Sequence, residues 1–550
     1  MTTGTIPDLI ICARNVHTMA PKAGDAEGPS NVAGEAGAAS AIAVANGVIT
    51  AIGDRSEIDG TATSATKIID VPGTIVPGFT DAHAHPMMSL SMTRGVNLTA
   101  CKNQDQVIAA LRAEAASSDS EEWVLGWGLD PNVFADEAIA NSVIHRAIGT
   151  DRKAFVSLFD AHSAIASDAA LAAADVAEER TYPGNSSIVV DDMGRPTGHL
   201  LEFAAMEEIR ELIPALSFEE QVDALITLLT AMAVQGITAV HVMDMNDPET
   251  IDLLTAAEAR GPLPVKLRFS PWCAPATTDA QLSELIDSQG RHGERWCIGG
   301  AKLFIDGTVE GGTAWLETPD SKGESTTSAW GGIDDYAVRV RELNAAGVPT
   351  ATHAIGERGI REVVETLAAL PKTGVQHRIE HIESVAKDVI DQMGAAGIAA
   401  SMQPAHCTHY TAADGSDDWS RRLGEVRAAR AWCTRDVIDA GGVLALGSDY
   451  PVAPFEVLPI MADAQLRRPV EDVEATPVLP EQGLTPAEVL AGYTTEPFAA
   501  IGEEGGFLAV GAPATFTVLD VDPLEAPPEE LGQGQVLLTV SEGIVTHQVE

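Results

Sequence analysis

Between residues 74 and 453 the chain repeats one device: a short apolar run that ends in polar or turn residues. The runs are "TIVPGFTDAHAH", "GITAVHVMDM", "VKLRFSPWC", "GGAKLFIDG", "VPTATHAIGE", "HRIEHIE", "IAASMQP" and "VLALGSDYPV". Stretches of helical character, such as "PETIDLLTAAEAR", "DDYAVRVRELNAAG", "GIREVVETLAAL" and "AKDVIDQMGAAG", separate most of them. Apolar runs alternating with helices are the pattern of a parallel sheet covered on both faces. Eight such units predict an α/β fold of the (β/α)8 TIM-type barrel class. The first and second runs lie about 150 residues apart, far beyond an ordinary crossover, so a sub-domain is expected over 86–235, inserted after strand 1.

The two chain ends read differently. "DLIICARNVH", "ASAIAVANGVITAIGD" and "TKIIDVPG" alternate apolar stretches with turn residues, and Asn46-Gly47 is a strong hairpin signal. The far end repeats this style in "ATFTVLDVDP" and "GQVLLTVSEGIVTHQV". One small β-sandwich built from 1–73 plus 500–550 is therefore expected around a barrel spanning 74–499. Residues 21–39, rich in Gly, Ala, Pro and Glu, read as a mobile loop.

Composition narrows the partners. A net charge of −46 repels nucleic acid and anionic membranes. There is no apolar run long enough to cross a bilayer and no basic-then-apolar leader at the start, so a cytoplasmic location is expected. The six cysteines are scattered, without a C-x-x-C pair, as suits a reducing compartment. A small-molecule substrate is the expected partner, and a homodimer is an assembly this composition allows.

Barrel enzymes place their chemistry at the C-terminal ends of the strands. Those ends carry, in order, His83 and His85, Lys302, His353, His381 and Asp449. His83 and His85 are two apart, so on a strand their imidazoles aim at one spot. Neutral imidazoles and a carboxylate suit a divalent ion. Lys302 has two readings. As a carbamate formed with CO2 it would be an anion able to bridge two metals. As a plain ammonium it would pair with a carboxylate such as Asp306.

At these residues the chain resembles the amidohydrolase superfamily, and more narrowly its family 3 branch, which includes N-substituted formamide deformylases. "GFTDAHAHP", "GWGLDPN", "DAHSAIAS", "AKLFIDGTVEGGTA", "THAIGERG", "HRIEH" and "GSDYPV", in this order, carry the likeness. The resemblance implies that His83 and His85 hold the more buried metal and that carbamylated Lys302 bridges. His353 and His381 then hold a second metal, and Asp449 touches metal and water. His162, in "DAHSAIAS", would lie over the pocket and polarise a substrate oxygen, or make a structural hydrogen bond. Glu357 and Pro86 depart from the usual wording without touching a ligand position.

The reaction expected is hydrolysis of an amide or N-formyl C–N bond by metal-activated water, with Asp449 as general base. Deamination of a ring amine, often with one metal, is the alternative, followed by a catalytically inactive barrel. Zinc is the expected metal, as one ion or two, although iron, manganese and cobalt share these ligands. The aromatic residues of the insertion (Trp123, Trp127, Phe134, Phe155, Phe159) suggest an apolar pocket wall.

Overall fold

The computed structural model describes residues 6–21 and 39–549, except 118, 120, 121, 136, 183–185 and 246. Residues 22–38 of the expected loop lie outside the described residues.

Every apolar run carries a strand. They are β1 (Phe79–Ala84), β2 (Ile237–Met245), β3 (Lys266–Pro271), β4 (Trp296–Ile298), β5 (Ala301–Phe304), β6 (Thr350–Ala354), β7 (Arg378–His381), β8 (Ala399–Met402) and β9 (Leu444–Leu446). β4 and β5 are two pieces of one strand position, interrupted at Gly299–Gly300. All neighbours pair in parallel, in the orders β4-β3-β2-β1 and β5-β6-β7-β8-β9. β1, β6, β7 and β8 are buried along their whole length, as expected of strands with helices on the outside. The crossover helix Glu357–Ala368 shows why: Ile360, Val363, Val364 and Leu367 repeat at helical spacing and are its buried side.

The ladders form two sheets, not the single closed ring expected of the barrel. At one junction the break at Gly299–Gly300 leaves only a parallel bridge between Trp272 and Lys302, with Cys273 N donating to Lys302 O at 2.8 Å. At the other, β9 is three residues long and gives way to contacts beyond its end. Asp449 N donates to His83 O at 2.7 Å, and Ser448 N to Asp81 Oδ1 at 3.0 Å. The chains touch so closely there that a Cβ on Gly447 would lie 2.6 Å from His83 N.

The run "TIVPGF" is two elements. Thr74–Pro77 leaves the central layer and pairs antiparallel with Phe516–Leu519. Gly78 makes the turn between them, where a Cβ would meet the Thr238 side chain at 2.5 Å. Both chain ends contribute to one apolar cluster, which includes Leu9, Ile42, Ile75, Phe516 and Leu538. The long stretch after β1 holds its own seven-stranded sheet, from Val96–Asn97 to Pro196–Leu201. The helix Phe218–Val234 packs instead into the central core through Val222, Leu225 and Leu229. No helix among the described residues is long and apolar enough to cross a membrane.

Candidate metal centre and active site

β1 ends in Asp81, His83 and His85, alternate residues that share one side of the strand. His83 Nδ1 lies 2.6 Å from Glu380 Oε2, which aims its other nitrogen inward. That Nε2 lies 3.3 Å from His85 Nε2, 3.3 Å from Asp449 Oδ1 and 3.4 Å from Lys302 Nζ. His85 Nε2 is 3.0 Å from the same carboxylate oxygen. Burial, then Lys302, push the His83 imidazole well below its ordinary range, so it is neutral and presents a lone pair. Asp449 Oδ1, despite its ion-pair distance, makes no well-formed hydrogen bond. Burial alone would raise the Asp449 carboxyl, but the imidazoles of His83 and His85 hold it well below the carboxylate range. Two imidazole nitrogens and a carboxylate oxygen crowd one point. A divalent cation reconciles them, and the residues fit one.

Asp449 also faces a second group. Its Oδ2 lies 3.8 Å from His381 Nδ1 and 3.6 Å from His406 Nε2. The His381 and His353 ring centres are 4.5 Å apart. Gln403 Oε1, 2.9 Å from His381 Nδ1, and Gly307 O, 3.1 Å from His353 Nε2, orient the two rings. Burial is the largest cause holding both imidazoles well below their ordinary range. His406 Nε2 is buried without a hydrogen-bond partner. Among the described residues, His83/His85/Asp449 and His381/His406/Asp449 are both groups able to hold an ion, with Asp449 common to them. His381 and Asp449 have φ of 72° and 61°, a conformation that costs non-glycine residues and concentrates at functional sites.

Lys302 is fully buried, with Nζ 4.9 Å from the centre of the Phe304 ring. Burial brings its ammonium down to about 8. No carboxylate among the described residues is within ion-pair distance of it. Asp306 instead accepts the backbone N–H groups of Trp315, Ile355 and Gly356.

The sequence profile of the amidohydrolase family matches residues 68–547. The chain belongs to the amidohydrolase family. It is a metal-dependent hydrolase acting on carbon–nitrogen bonds. It is 26% identical over 519 residues to YtcJ of Bacillus subtilis (strain 168), covering 92% of this chain and 96% of that one. It is 25% identical over 538 residues to N-substituted formamide deformylase of Arthrobacter pascens, covering 93% and 95%. A crystal structure of an uncharacterized metal-dependent hydrolase from Pyrococcus horikoshii OT3 superposes with a TM-score of 0.69 at 21% identity. It covers 94% of this chain and 99% of that one.

In this amidohydrolase four of the six predicted ligand positions, His85, His353, His381 and Asp449, line one cavity, and His83 and Lys302 are fully buried beside them. His162 joins them from the inserted sheet, its ring 5.2 Å from that of His353. Its Nδ1 lies 2.8 Å from Glu202 Oε2. Burial would depress this imidazole, but Glu202 and then Asp160 raise it to about 9. Several partners lie outside that set. His406, in the helix Pro404–Tyr410 just after β8, is not singled out as a ligand by the sequence. Glu380 and Glu202 stand behind the site, as acceptors for His83 and His162. Alternation with Arg378 in "HRIEH" was the signal for Glu380. Of the other histidines, His377 bonds Thr350 and Asn344, His241 bonds Arg378, and His409 bonds Asp463.

The aromatic wall is also redistributed. Phe159 lines the pocket and Phe155 a neighbouring cleft. Trp123 and Phe134 pack inside the insertion. Phe203, Phe304 and Trp432 complete the pocket wall instead.

Proposed function

We propose that this amidohydrolase cleaves the amide or N-formyl C–N bond of a small organic substrate, with Asp449 as general base. The observation that carries the reading is Asp449 itself. One of its oxygens faces His83 and His85 and the other faces His381 and His406, which places a carboxylate between two ligand groups.

His83, His85 and Asp449 would hold one ion, and His353, His381 and His406 a second, with Lys302 as a carbamate between them. We take zinc as the metal, because an imidazole-rich set with a carboxylate suits it. Bound there, the metal supplies Lewis-acid activation of water and of the scissile carbonyl. Burial without a carboxylate partner favours the carbamate, since the ammonium would sit unpaired beside cations. Asp449 takes the proton of the attacking water and passes it to the departing amine. His162, oriented by Glu202, donates its Nε2 hydrogen towards the developing oxyanion. The two parallel sheets are read as halves of one eight-stranded barrel, flanked by the terminal sandwich and the insertion.

The test is turnover of N-formyl and N-acyl amines by metal-loaded enzyme, with product analysis. Release of formate or another carboxylate together with the amine is expected. Release of ammonia from a ring amine, with every formamide and amide inert, would replace this reading by deamination.

A further inference from the structure

The pocket above the metal ligands has a charge pattern that the hydrolysis itself does not use. Three carboxylates enter it besides Asp449: Asp160, Glu310 and Glu383. No Lys or Arg is among its described lining residues. Asp160 is satisfied, accepting the N–H of His162 and the hydroxyls of Ser163 and Thr308 at 3.1–3.2 Å. Glu383 accepts Trp419 Nε1 through Oε2 at 2.8 Å, while its Oε1 is 4.0 Å from His406 Nδ1. Glu310 differs. It is only 9% exposed, and among the described residues no other residue donates a hydrogen bond to its carboxylate.

A carboxylate at that depth met only by its own backbone N–H is costly. Burial, then Glu383, push the Glu310 carboxyl well above its ordinary range. Such a group either carries a proton or receives a cation. The walls are aromatic, with Phe159 and Tyr410 stacked at 3.8 Å between ring centres and Trp432 also lining the pocket, and aromatic rings attract cations. The field of a chain with net charge −46 draws cations towards the pocket and turns anions away.

We propose that the substrate carries a cationic nitrogen group, an ammonium or guanidinium, close to its scissile C–N bond, and that Glu310 receives this group with Glu383 beside it. The assignment deepens the C–N hydrolase reading and rests on it for the position of the scissile bond. Glu310 is then a specificity residue, and neutral substrates of equal shape are poor ones.

Methylguanidinium and N-methylurea test this, being nearly the same shape and differing in charge, and neither needs turnover to report. Ligand-observed NMR titration of the metal-loaded enzyme should show methylguanidinium binding at least about tenfold tighter than methylurea, the range of a charge-assisted hydrogen bond. Glu310→Gln should shrink that ratio about tenfold, with metal content unchanged. If Glu310→Gln does not fold, Glu310→Asp, which keeps the charge on a shorter arm, should lower the ratio. Equal or tighter binding of methylurea would overturn the proposal and make Glu310 a neutral acid that donates to an uncharged amide. A ratio that survives in folded Glu310→Gln would overturn it too, as would loss of a metal ion from that variant. Failure of every formamide and amide as substrate would remove the hydrolysis reading and leave this binding result standing.

Discussion

At the residue scale, the site is built from side chains whose free atoms are fixed by others behind them. Glu380 is the clearest case. It holds His83 Nδ1 at 2.6 Å through one oxygen and Arg378 Nε at 2.7 Å through the other, with both carboxylate and ring fully buried. Glu380→Gln keeps the shape but loses the anion, so metal affinity should fall about 10–100-fold, as seen when such supporting carboxylates are lost. Competition against a chromophoric chelator measures it, and unchanged affinity would show that His83 is held by packing alone. In Asp449→Asn protein that elemental analysis shows to be metal-loaded, kcat should drop about 10²–10⁴-fold. Near-normal kcat would remove Asp449 as the base. The candidate ligand positions, Lys302 apart, were legible as polar residues where apolar runs give out. Which strand face turns to the site was harder to read, and His381 shows why. Strand alternation puts Arg378 and Glu380 on one side and His381 on the other. The left-handed φ of 72° at His381 turns its ring inward, and no spacing rule reads that from sequence.

At the element scale, hydrophobic runs and turn residues located the strands well, because burial on both faces leaves long uninterrupted apolar runs. Asn46 and Gly47 have φ of 51° and 75° and join Ala41–Ala45 to Val48–Gly53 as the expected hairpin. The division of "TIVPGF" at Gly78 was illegible, since both halves are equally apolar and only their partners differ. Packing also hides titration. Glu496, in the helix Thr495–Ala499 beside β9, is 7% exposed, and burial raises its carboxyl to about 7. The folded state therefore binds more protons than the unfolded one between about pH 4.5 and 7, and this residue's contribution to stability is lost as pH rises through that window. Glu496→Gln should remove that loss, gaining on the order of 2 kcal/mol at pH 8 relative to pH 4. Denaturant melts at the two pH values check it, and parallel pH profiles for both proteins would contradict it.

At the scale of the whole molecule, the composition points outward and the cavity inward. The chain carries a net charge of −46, whereas the His83/His85/Asp449 and His381/His406/Asp449 groups are buried and little screened by salt. What the sequence could not convey is how the chain joins across the centre. The sheets meet through one bridge at Lys302 and through contacts of Asp81, His83 and Asp449. Four of the candidate ligands, His83, His85, Lys302 and Asp449, thus sit at the two seams, so the site depends on contacts between distant parts of the chain that no local pattern encodes. Elemental analysis of the purified protein beside its His83→Ala/His85→Ala and Lys302→Ala variants tests this arrangement most directly. Two divalent ions per chain are predicted for the unaltered protein, with each variant losing at least one ion and most of its turnover. Unchanged metal content in the His83→Ala/His85→Ala protein would contradict the assignment, because the metal would then be held elsewhere.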